Sequence, residues 1–374
     1  MKHFNRYAAI FLSVLLLLVV TLVPVFANSD RSAESSGQET PSTKDGHYTS
    51  IPIWGETIPG NSDRSKFDDM KIDFDATLEN DLKKSLIAMS KYTGAVYIDC
   101  QEEIDTLTWL KDIKPGISAE TYTDVPAIVP FPVEGSDRAV IIIPGGGYVY
   151  TGDITEPNTA ETDLLAKQFN ERGISAFVLG YRCNPYKMPI PLLDMQRAVR
   201  WLRFHSEDYG FDPDKIALFG GSAGGYQAAG FLNLLQGKNQ FPEDYTPDEI
   251  DMVSDEVSSI GLFYPALTLK YNHGCGFAVF PADEYRNPIT RANLLYQYDL
   301  PSHITNTTVP QYITHGTEDM LVTHLGSKEY ASRLEAKGGD VVYTEVEGAN
   351  HIFTSNPDYA WVFEEYLDWL EAHF

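Results

Sequence analysis

The chain has 374 residues, of which 43% are hydrophobic and 12% aromatic, and this apolar content excludes a wholly disordered protein. It carries 53 acidic against 28 basic side chains, which gives a formal net charge of -25. Because such a surface repels phosphate backbones and the sequence has no basic patch, we expect no nucleic acid partner, and neutral substrates fit better than polyanions.

Residues 1–27 have the pattern of a secretory signal peptide. Lys2 and Arg6 give a positive start, residues 8–23 are almost wholly apolar, and Val25 and Ala27 offer small side chains at the -3 and -1 positions of a cleavage site. The alternative is an uncleaved membrane anchor, although the apolar run is shorter than the ~20 residues that span a bilayer. We therefore expect an extracellular, secreted protein that meets the membrane only through its leader, if the leader stays uncleaved.

Two further segments precede the regular part of the chain. Residues 28–50 are rich in Ser, Thr, Gly, Asp and Glu with almost no large apolar side chain, which predicts a disordered linker. Residues 51–137 open on Ile-Pro-Ile-Trp, and residues 78–92 have apolar side chains near helical spacing. We expect an N-terminal extension with one or two helices, packed on the core.

The cysteines and histidines give no metal motif. The sequence has three cysteines, Cys100, Cys183 and Cys275. Because this number is odd, at least one of them is free or pairs between chains, and the sequence leaves open which two would form a bridge. There is no CxxC pair, and the nine histidines include no HxH or HExxH spacing. We expect no metal site.

From residue 138 to residue 374, short apolar runs alternate with amphipathic helical stretches. This alternation predicts an α/β domain with a parallel sheet covered on both faces. The predicted strands are 139–143, 176–179, 216–219, 260–264, 311–314 and 341–346, and the predicted helices include 192–204, 223–235, 328–336 and 359–374. Residues 236–257 and 270–300 are predicted to be irregular loops that border the substrate pockets, where Tyr271, Phe277 and Tyr285 either stack on a sugar or pack.

A Gly-x-Ser-x-Gly pattern at residues 220–224 follows strand 216–219 directly and precedes an Ala-rich helical stretch. Ser222 therefore occupies a sharp strand-to-helix turn of the kind that presents a nucleophile. The alternative is a glycine-rich turn capped by serine.

A second glycine loop, Pro-Gly-Gly-Gly at residues 144–147, follows strand 139–143. The peptide N–H groups of Gly146 and Gly147, together with that of Ala223, are candidates to hold the oxyanion of a tetrahedral intermediate. A flexible turn is the alternative.

An activating base and acid follow two later strands. Asp319 follows strand 311–314, and His351 follows strand 341–346. The chain order of nucleophile, acid and base is the one that α/β-hydrolases use. A helix cap at Asp319 and a surface loop at His351 are the alternatives. His315 is expected to pack or form hydrogen bonds beneath the site.

Five motifs, in the order in which they stand, resemble those of α/β-hydrolase superfamily esterases: PGGGY at 144–148, PLLDMQRA at 191–198, GGSAGG at 220–225, HGTED at 315–319 and NH at 350–351. They resemble most the bacterial acetyl esterase and acetylxylan esterase-like branch, which is related to hormone-sensitive lipase. The resemblance covers residues 138–374, and residues 51–55 are loosely similar to the segment that opens some of these esterases.

The resemblance implies an α/β-hydrolase fold, with a mostly parallel central sheet between helices and residues 138–374 as the catalytic domain. It implies nucleophile Ser222, acid Asp319 and base His351, with Gly146, Gly147 and Ala223 as oxyanion donors. It also implies that Asp194 and Arg197 support the fold rather than react. Two positions depart from the pattern: Pro144 stands where the lipase branch usually has His, and Tyr226 replaces a His that commonly follows the elbow glycines.

The sequence thus predicts a secreted serine hydrolase without a cofactor, a carboxylesterase that removes short acyl groups, acetyl above all, from carbohydrate. Its partner is then a small-molecule or oligosaccharide ester, and the oligomeric state stays open. Two alternatives remain, namely a secreted serine peptidase of the same fold and a catalytically inert, hydrolase-like binding protein.

Overall fold

The computed structural model describes residues 43–44, 46–61, 124–148, 151, 154–157, 159–183, 186–271 and 276–374. The predicted signal peptide, the predicted helical segment 78–92, Cys100 and Cys275 lie outside these residues. The thiol of Cys183 is free and buried, and burial raises its pKa. Within the described ranges, no helix has the length and apolar character that a bilayer crossing requires.

The described residues form a two-stranded ribbon and an eight-stranded sheet in the order β10-β9-β8-β7-β5-β6-β4-β3. Every neighbouring pair from β10 to β6 is parallel, whereas β4 runs antiparallel to both β6 and β3. The strands are β1 (Thr43–Lys44), β2 (His47–Tyr48), β3 (Ile51–Pro52), β4 (Ala127–Phe131), β5 (Ala139–Ile143), β6 (Ser175–Gly180), β7 (Ile216–Gly221), β8 (Ser259–Phe263), β9 (Gln311–Gly316) and β10 (Val341–Val346). The mostly parallel sheet confirms the predicted fold class.

Helices join the strands in the described part of the chain. They are α1 (Ala166–Glu171), α2 (Ile190–Phe204), α3 (Ser206–Tyr209), α4 (Ala223–Gly230), α5 (Gly276–Val279), α6 (Ala282–Arg286), α7 (Pro288–Gln297), α8 (His324–Ala336) and α9 (Ala360–Glu371). Two π-helical segments, Ala160–Leu165 and Phe231–Leu235, adjoin α1 and α4, and short 3₁₀ turns lie at Ile250–Met252, Leu300–Ser302, Phe353–Ser355 and Pro357–Tyr359.

The core lies on both faces of the sheet, and β5 shows why. Val140 and Ile142 belong to the buried cluster that includes side chains of α1 and α9, whereas Ile141 and Ile143 belong to the cluster that includes α2 and α4. Successive side chains of a strand point to opposite faces, so a continuous apolar run must be covered twice. The predicted helices on both faces are thereby confirmed.

The loop prediction for residues 270–300 is wrong, because α5, α6 and α7 lie there. Asn287 caps α7 by accepting hydrogen bonds from the N–H groups of Ile289 and Thr290 at 3.0 and 3.2 Å, and Pro288 occupies the first helical position. The cap and the proline start helix α7, although its residues lack the regular apolar spacing that would predict a helix. Tyr285 is buried and its ring packs 5.5 Å from that of Phe280, whereas Tyr271 is exposed.

The predicted boundaries of the first segments also need correction. The linker prediction for residues 28–50 is wrong for 43–44 and 46–50, because the β1–β2 ribbon lies there and Tyr48 packs edge-on against Phe131 at 5.0 Å. The Tyr48 hydroxyl donates to Asp163 Oδ1 at 3.0 Å. A boundary at residue 138 divides the sheet, since β3 and β4 of the predicted extension are its outer strands.

Candidate active site

A strained turn joins β7 to α4 and presents Ser222. This residue has φ 55° and ψ -119°, a conformation that L-residues rarely adopt. Its N–H donates to the carbonyl of Phe263 at 2.9 Å, and its own carbonyl accepts from Ala266 N–H at 3.1 Å. Hydrogen bonds to the end of β8 therefore hold the serine in this conformation.

The two glycines of the Gly-x-Ser-x-Gly pattern allow the close approaches that the turn requires. A Cβ on Gly220 would lie 2.3 Å from the carbonyl oxygen of Gly224. A Cβ on Gly224 would lie 2.1 Å from the carbonyl oxygen of Ile143, at the end of β5. Any larger residue at either position would push the turn away from the sheet.

The structure brings the three residues of the predicted triad into one hydrogen-bonded chain. Ser222 Oγ lies 3.0 Å from Nε2 of His351, and Nδ1 of His351 lies 2.6 Å from Oδ2 of Asp319. Because a carboxylate only accepts, Nδ1 carries the proton and Nε2 is the acceptor for the serine hydroxyl. The side chains of Asp319 and His351 are almost fully buried. This arrangement can transfer a proton from the hydroxyl to the imidazole.

The Asp319 carboxylate has four donors. Oδ1 accepts from the N–H groups of Leu321 and Val322 at 2.9 and 2.8 Å, and Oδ2 accepts from His351 and from Nε2 of His315 at 3.0 Å. Burial raises the pKa of Asp319, but the hydrogen bonds from His315 and His351 outweigh burial and hold the pKa below its usual range. The acid is therefore ionised and fixed in orientation.

Backbone contacts join the loop that carries the acid to the loop that carries the base. Glu318 N–H donates to the carbonyl of Ala349 at 3.0 Å, and Met320 N–H donates to Asn350 Oδ1 at 3.2 Å. A Cβ on Gly316 would lie 2.2 Å from the Ala349 carbonyl oxygen. The His-Gly-Thr-Glu-Asp motif thus needs its glycine so that the two loops can lie side by side.

The glycine loop after β5 lies against the nucleophile. A Cβ on Gly145 would stand 3.2 Å from Cβ of Ser222, while Gly146 and Gly147 have positive φ angles of 109° and 63°. Ala223, the first residue of α4, follows Ser222 directly. The glycine loop therefore begins next to Ser222, and the role of Gly146, Gly147 and Ala223 as oxyanion donors stays a prediction.

Tyrosines support this loop at the two positions that depart from the esterase pattern. The Tyr181 hydroxyl donates to the carbonyl of Pro144 at 2.9 Å, and the Tyr226 hydroxyl donates to the carbonyl of Tyr298 at 2.7 Å. The Tyr148 ring packs edge-on against Tyr181 and Tyr226 at 5.9 and 6.0 Å. At position 226 a buried tyrosine with a satisfied hydroxyl thus replaces the histidine of the pattern, whereas at position 144 a tyrosine hydroxyl binds the carbonyl of the proline that replaces it.

The other predicted residues belong to the support of the fold. Asp194 forms a fully buried ion pair with Arg182 at 2.6 Å. Arg197 binds Asp248 through both terminal nitrogens, at 2.6 and 2.7 Å, and donates to the carbonyl of Ile53. Among the described residues, no group of His, Cys, Asp and Glu side chains has an arrangement that would hold a metal ion.

Tyr264 is a site residue that the sequence analysis did not single out. Its ring packs edge-on against the His351 ring at 4.8 Å, and its φ of 40° is again unusual for a non-glycine residue. The available signal was its position at the end of predicted strand 260–264, because parallel strands bring their carboxyl ends to one edge of the sheet.

A serine elbow, with an acid and a base on the loops after two later parallel strands, defines the α/β-hydrolase class. Residues 129–334 match the BD-FAE family, and the chain belongs to this family.

Curated relatives of this chain include ester hydrolases. It is 27% identical to a probable carboxylic ester hydrolase, LipM, of Mycobacterium tuberculosis over 59% of this chain and 50% of that protein. It is 27% identical to an acetylxylan esterase of Xylanibacter ruminicola, over 51% and 35% of the two chains. It is also 30% identical to endo-1,4-beta-xylanase B of Butyrivibrio fibrisolvens, over 53% and 29%. The chain therefore spans half or less of the length of these relatives.

Among solved structures, the acetyl ester-xyloside bifunctional hydrolase from Caldicellulosiruptor lactoaceticus matches with a TM-score of 0.57 and 27% sequence identity. The match covers 66% of this chain and 88% of that one. A propionate-bound esterase from Thermogutta terrifontis, with a TM-score of 0.53 and 25% identity, has a similar fold.

Proposed function

We propose that this protein is a serine carboxylic-ester hydrolase that removes short acyl groups, acetyl above all, from carbohydrate. The observation that carries the proposal is the hydrogen-bonded chain from Ser222 through His351 to Asp319, with distances of 3.0 and 2.6 Å. A hydroxyl, an imidazole and an ionised carboxylate in this order are the parts of an acyl-transfer site. The signal-peptide pattern of residues 1–27 supports export as a further part of the proposal.

The reaction begins when Ser222 Oγ attacks the ester carbonyl carbon and its proton passes to Nε2 of His351. Asp319 keeps the imidazole in the required tautomer and stabilises the imidazolium that forms. The carbonyl oxygen becomes an oxyanion, which the N–H groups of Gly146, Gly147 and Ala223 stabilise. Each such donor lowers the barrier by about 3 kcal/mol, because the dipoles are fixed before the charge develops.

Collapse of this intermediate breaks the bond between the carbonyl carbon and the alcohol oxygen, and His351 donates its proton to the departing alcohol. A water molecule then attacks the acyl-serine while His351 accepts one of its protons. The second tetrahedral intermediate expels Ser222 Oγ, which takes the proton back, and the carboxylic acid leaves. The residues of this chain thus account for every proton transfer in the cycle.

The choice of an acetylated carbohydrate rests on similarity rather than on the site. The relatives include an acetylxylan esterase, and the solved neighbours include an acetyl ester-xyloside hydrolase. The side chain of Tyr271 is exposed, and stacking of its ring on a sugar stays a prediction.

The central experiment compares the hydrolysis of p-nitrophenyl acetate by the wild type and by Ser222→Ala. We expect the substitution to abolish turnover and to abolish labelling by a fluorophosphonate, which reacts with activated serines. Ser258→Ala is the matched control, because it changes a half-buried serine in the loop before β8 and should leave both signals intact. Undiminished turnover in Ser222→Ala would overturn the proposal, and a wild type without labelling would support the inert binding protein.

Substrate class is tested by acetate release from acetylated xylan, with p-nitrophenyl esters of increasing acyl length and peptide substrates in parallel. Faster cleavage of peptides than of esters would favour the peptidase. Activity on short p-nitrophenyl esters without acetate release from xylan would support ester hydrolysis and contradict an acetylated carbohydrate as the substrate.

A further inference from the structure

His315 is a second histidine that contacts the triad carboxylate. It belongs to β9 and is fully buried. Its Nε2 lies 3.0 Å from Oδ2 of Asp319 and 2.9 Å from the carbonyl oxygen of Val322, while its Nδ1 lies 2.7 Å from Oγ of Ser327. Oδ2 of Asp319 therefore lies between two imidazoles.

The neighbours of His315 determine where its proton lies. Both partners of Nε2 are acceptors, so Nε2 must carry a hydrogen. Nδ1 faces a hydroxyl, and the other acceptor near that hydroxyl, the carbonyl of Pro265, is 3.4 Å away. A hydroxyl both donates and accepts, so Ser327 can pair with Nδ1 in either form of the ring, and the Nε2–H donor is the same in both. In either form of the ring, His315 gives Asp319 a hydrogen bond from its Nε2–H.

We propose that His315 is a positioning residue of the hydrolytic reaction, whose Nε2–H holds the Asp319 carboxylate in the orientation that His351 requires. The inference rests on the proposed function of the triad. The backbone N–H groups of Leu321 and Val322 fix Oδ1, and His315 donates to the same Oδ2 atom that His351 contacts. Loss of His315 would leave the carboxylate free to turn about its Oδ1 contacts.

The same contact sets how much negative charge Asp319 offers to the base. A donor to Oδ2 shares that charge, so its removal favours the protonated form of His351. Asp319 from the loop after β9, Tyr264 from the end of β8 and the Ser222 hydroxyl from the elbow each face the base. His315 acts on His351 only through Asp319, so its replacement should move the acid limb of the pH profile upward without altering the substrate contacts.

The test measures kcat, KM and the pH profile of kcat/KM for p-nitrophenyl acetate in the full chain. We expect His315→Ala to lower kcat by about 10- to 100-fold with little change in KM, because small misplacements of catalytic groups have effects of this size. Its acid limb should move to higher pH. His315→Gln, whose amide N–H can replace Nε2–H, should recover much of kcat. The control is Thr314→Val, which changes a buried residue next to His315. The Thr314 hydroxyl has no hydrogen bond in the described structure, so this variant should match the wild type.

A wild-type kcat and acid limb in His315→Ala would overturn the inference. So would an equal loss in Thr314→Val, because the effect would then be one of packing. Should His315→Ala fail to fold, Ser327→Ala removes the hydrogen-bond partner of Nδ1, and an unchanged kcat there would contradict the proposal. The Ser222→Ala variant distinguishes failure of the proposed function from failure of the inference about His315. If Ser222→Ala stays active, the proposed function fails. If Ser222→Ala is inactive while His315→Ala is fully active, only the inference about His315 fails.

Discussion

Trp54 donates its indole N–H to Oδ1 of Asp194 over 2.8 Å, although the two residues lie 140 positions apart in the chain. The same carboxylate forms the buried ion pair with Arg182. The Trp54 ring also lies 4.9 Å from the guanidinium carbon of Arg197, within the range of a cation–π contact. A buried polar network on α2 therefore binds residues 51–61 to the domain, in addition to apolar packing.

The first prediction concerns this network. Asp194→Asn should lower the free energy of unfolding by about 3–5 kcal/mol, because the buried Arg182 would lose its counter-charge. Trp54→Phe removes one hydrogen bond and should cost about 1–3 kcal/mol, since Asp194 would keep its contacts with Arg182. Urea titration measures both values. Trp361→Phe changes a half-exposed tryptophan and should be neutral, and equal effects of Trp54→Phe and Trp361→Phe would contradict the prediction.

The second prediction concerns the contact between the elbow and β5. Gly224→Ala places a methyl group 2.1 Å from the Ile143 carbonyl oxygen, where backbone rather than a flexible side chain must move. We expect a loss of about 3 kcal/mol of stability and of most esterase activity. Gly55→Ala is the control, because the nearest atom to its added Cβ is 3.9 Å away. Normal activity in Gly224→Ala would show that the elbow tolerates displacement.

Much of the sheet could be predicted because β5 and its neighbours are short apolar runs buried on both faces. Strands 139–143 and 341–346 are predicted to the residue, and the ends of the other predicted strands differ from the observed ends by at most two positions. Strand β4 was not predicted, because Ala127–Phe131 includes Pro130, and proline usually indicates the end of a strand. In the structure Pro130 nevertheless pairs with Phe177 of β6. Helices α5 to α7 were missed because their residues show no regular apolar stripe.

The three triad residues could be predicted to meet because each follows a parallel strand, and such strands end at one edge of the sheet. The contacts of His315 and Tyr264 could not be derived in this way. They depend on side-chain direction within tertiary packing, as in the approach of Ser327 from α8 to His315. Trp54 illustrates the same limit, because its partner Asp194 stands far away in the sequence.

The third prediction concerns the acid of the triad. Asp319→Asn would present an amide N–H where His351 Nδ1–H now donates, and this favours the wrong imidazole tautomer. We expect kcat for p-nitrophenyl acetate to fall by about 10⁴-fold while the fold is retained. Glu318→Gln changes the exposed neighbouring carboxylate and should leave kcat unchanged. A small loss in Asp319→Asn would mean that another group orients His351.

The fourth prediction concerns the pH dependence of stability. The pKa of Asp319 is lower in the folded chain than its ordinary value of 3.8, so ionisation of this group stabilises the folded state above that value. The contribution is lost as the pH falls through the folded pKa. The wild type should therefore exceed Asp319→Asn in unfolding free energy most clearly above about pH 5, and the difference should shrink below about pH 4. Urea titrations at several pH values measure it, and a difference that grows on acidification would contradict the sign.

The fifth prediction concerns strain at the nucleophile. With φ 55° and ψ -119°, Ser222 occupies a region that glycine adopts readily, and such strain costs about 1–3 kcal/mol for other residues. Glycine loses more chain entropy on folding, by about 0.5–1 kcal/mol. Ser222→Gly should therefore be more stable than Ser222→Ala by about 1 kcal/mol, although both are inactive. Ser327, which lies inside helix α8, is the control position. There the alanine variant should be more stable than the glycine variant, because alanine is the better helix former. If urea titration finds Ser222→Ala at least as stable as Ser222→Gly, the turn stores no strain, and its unusual dihedral angles are maintained without a cost in stability.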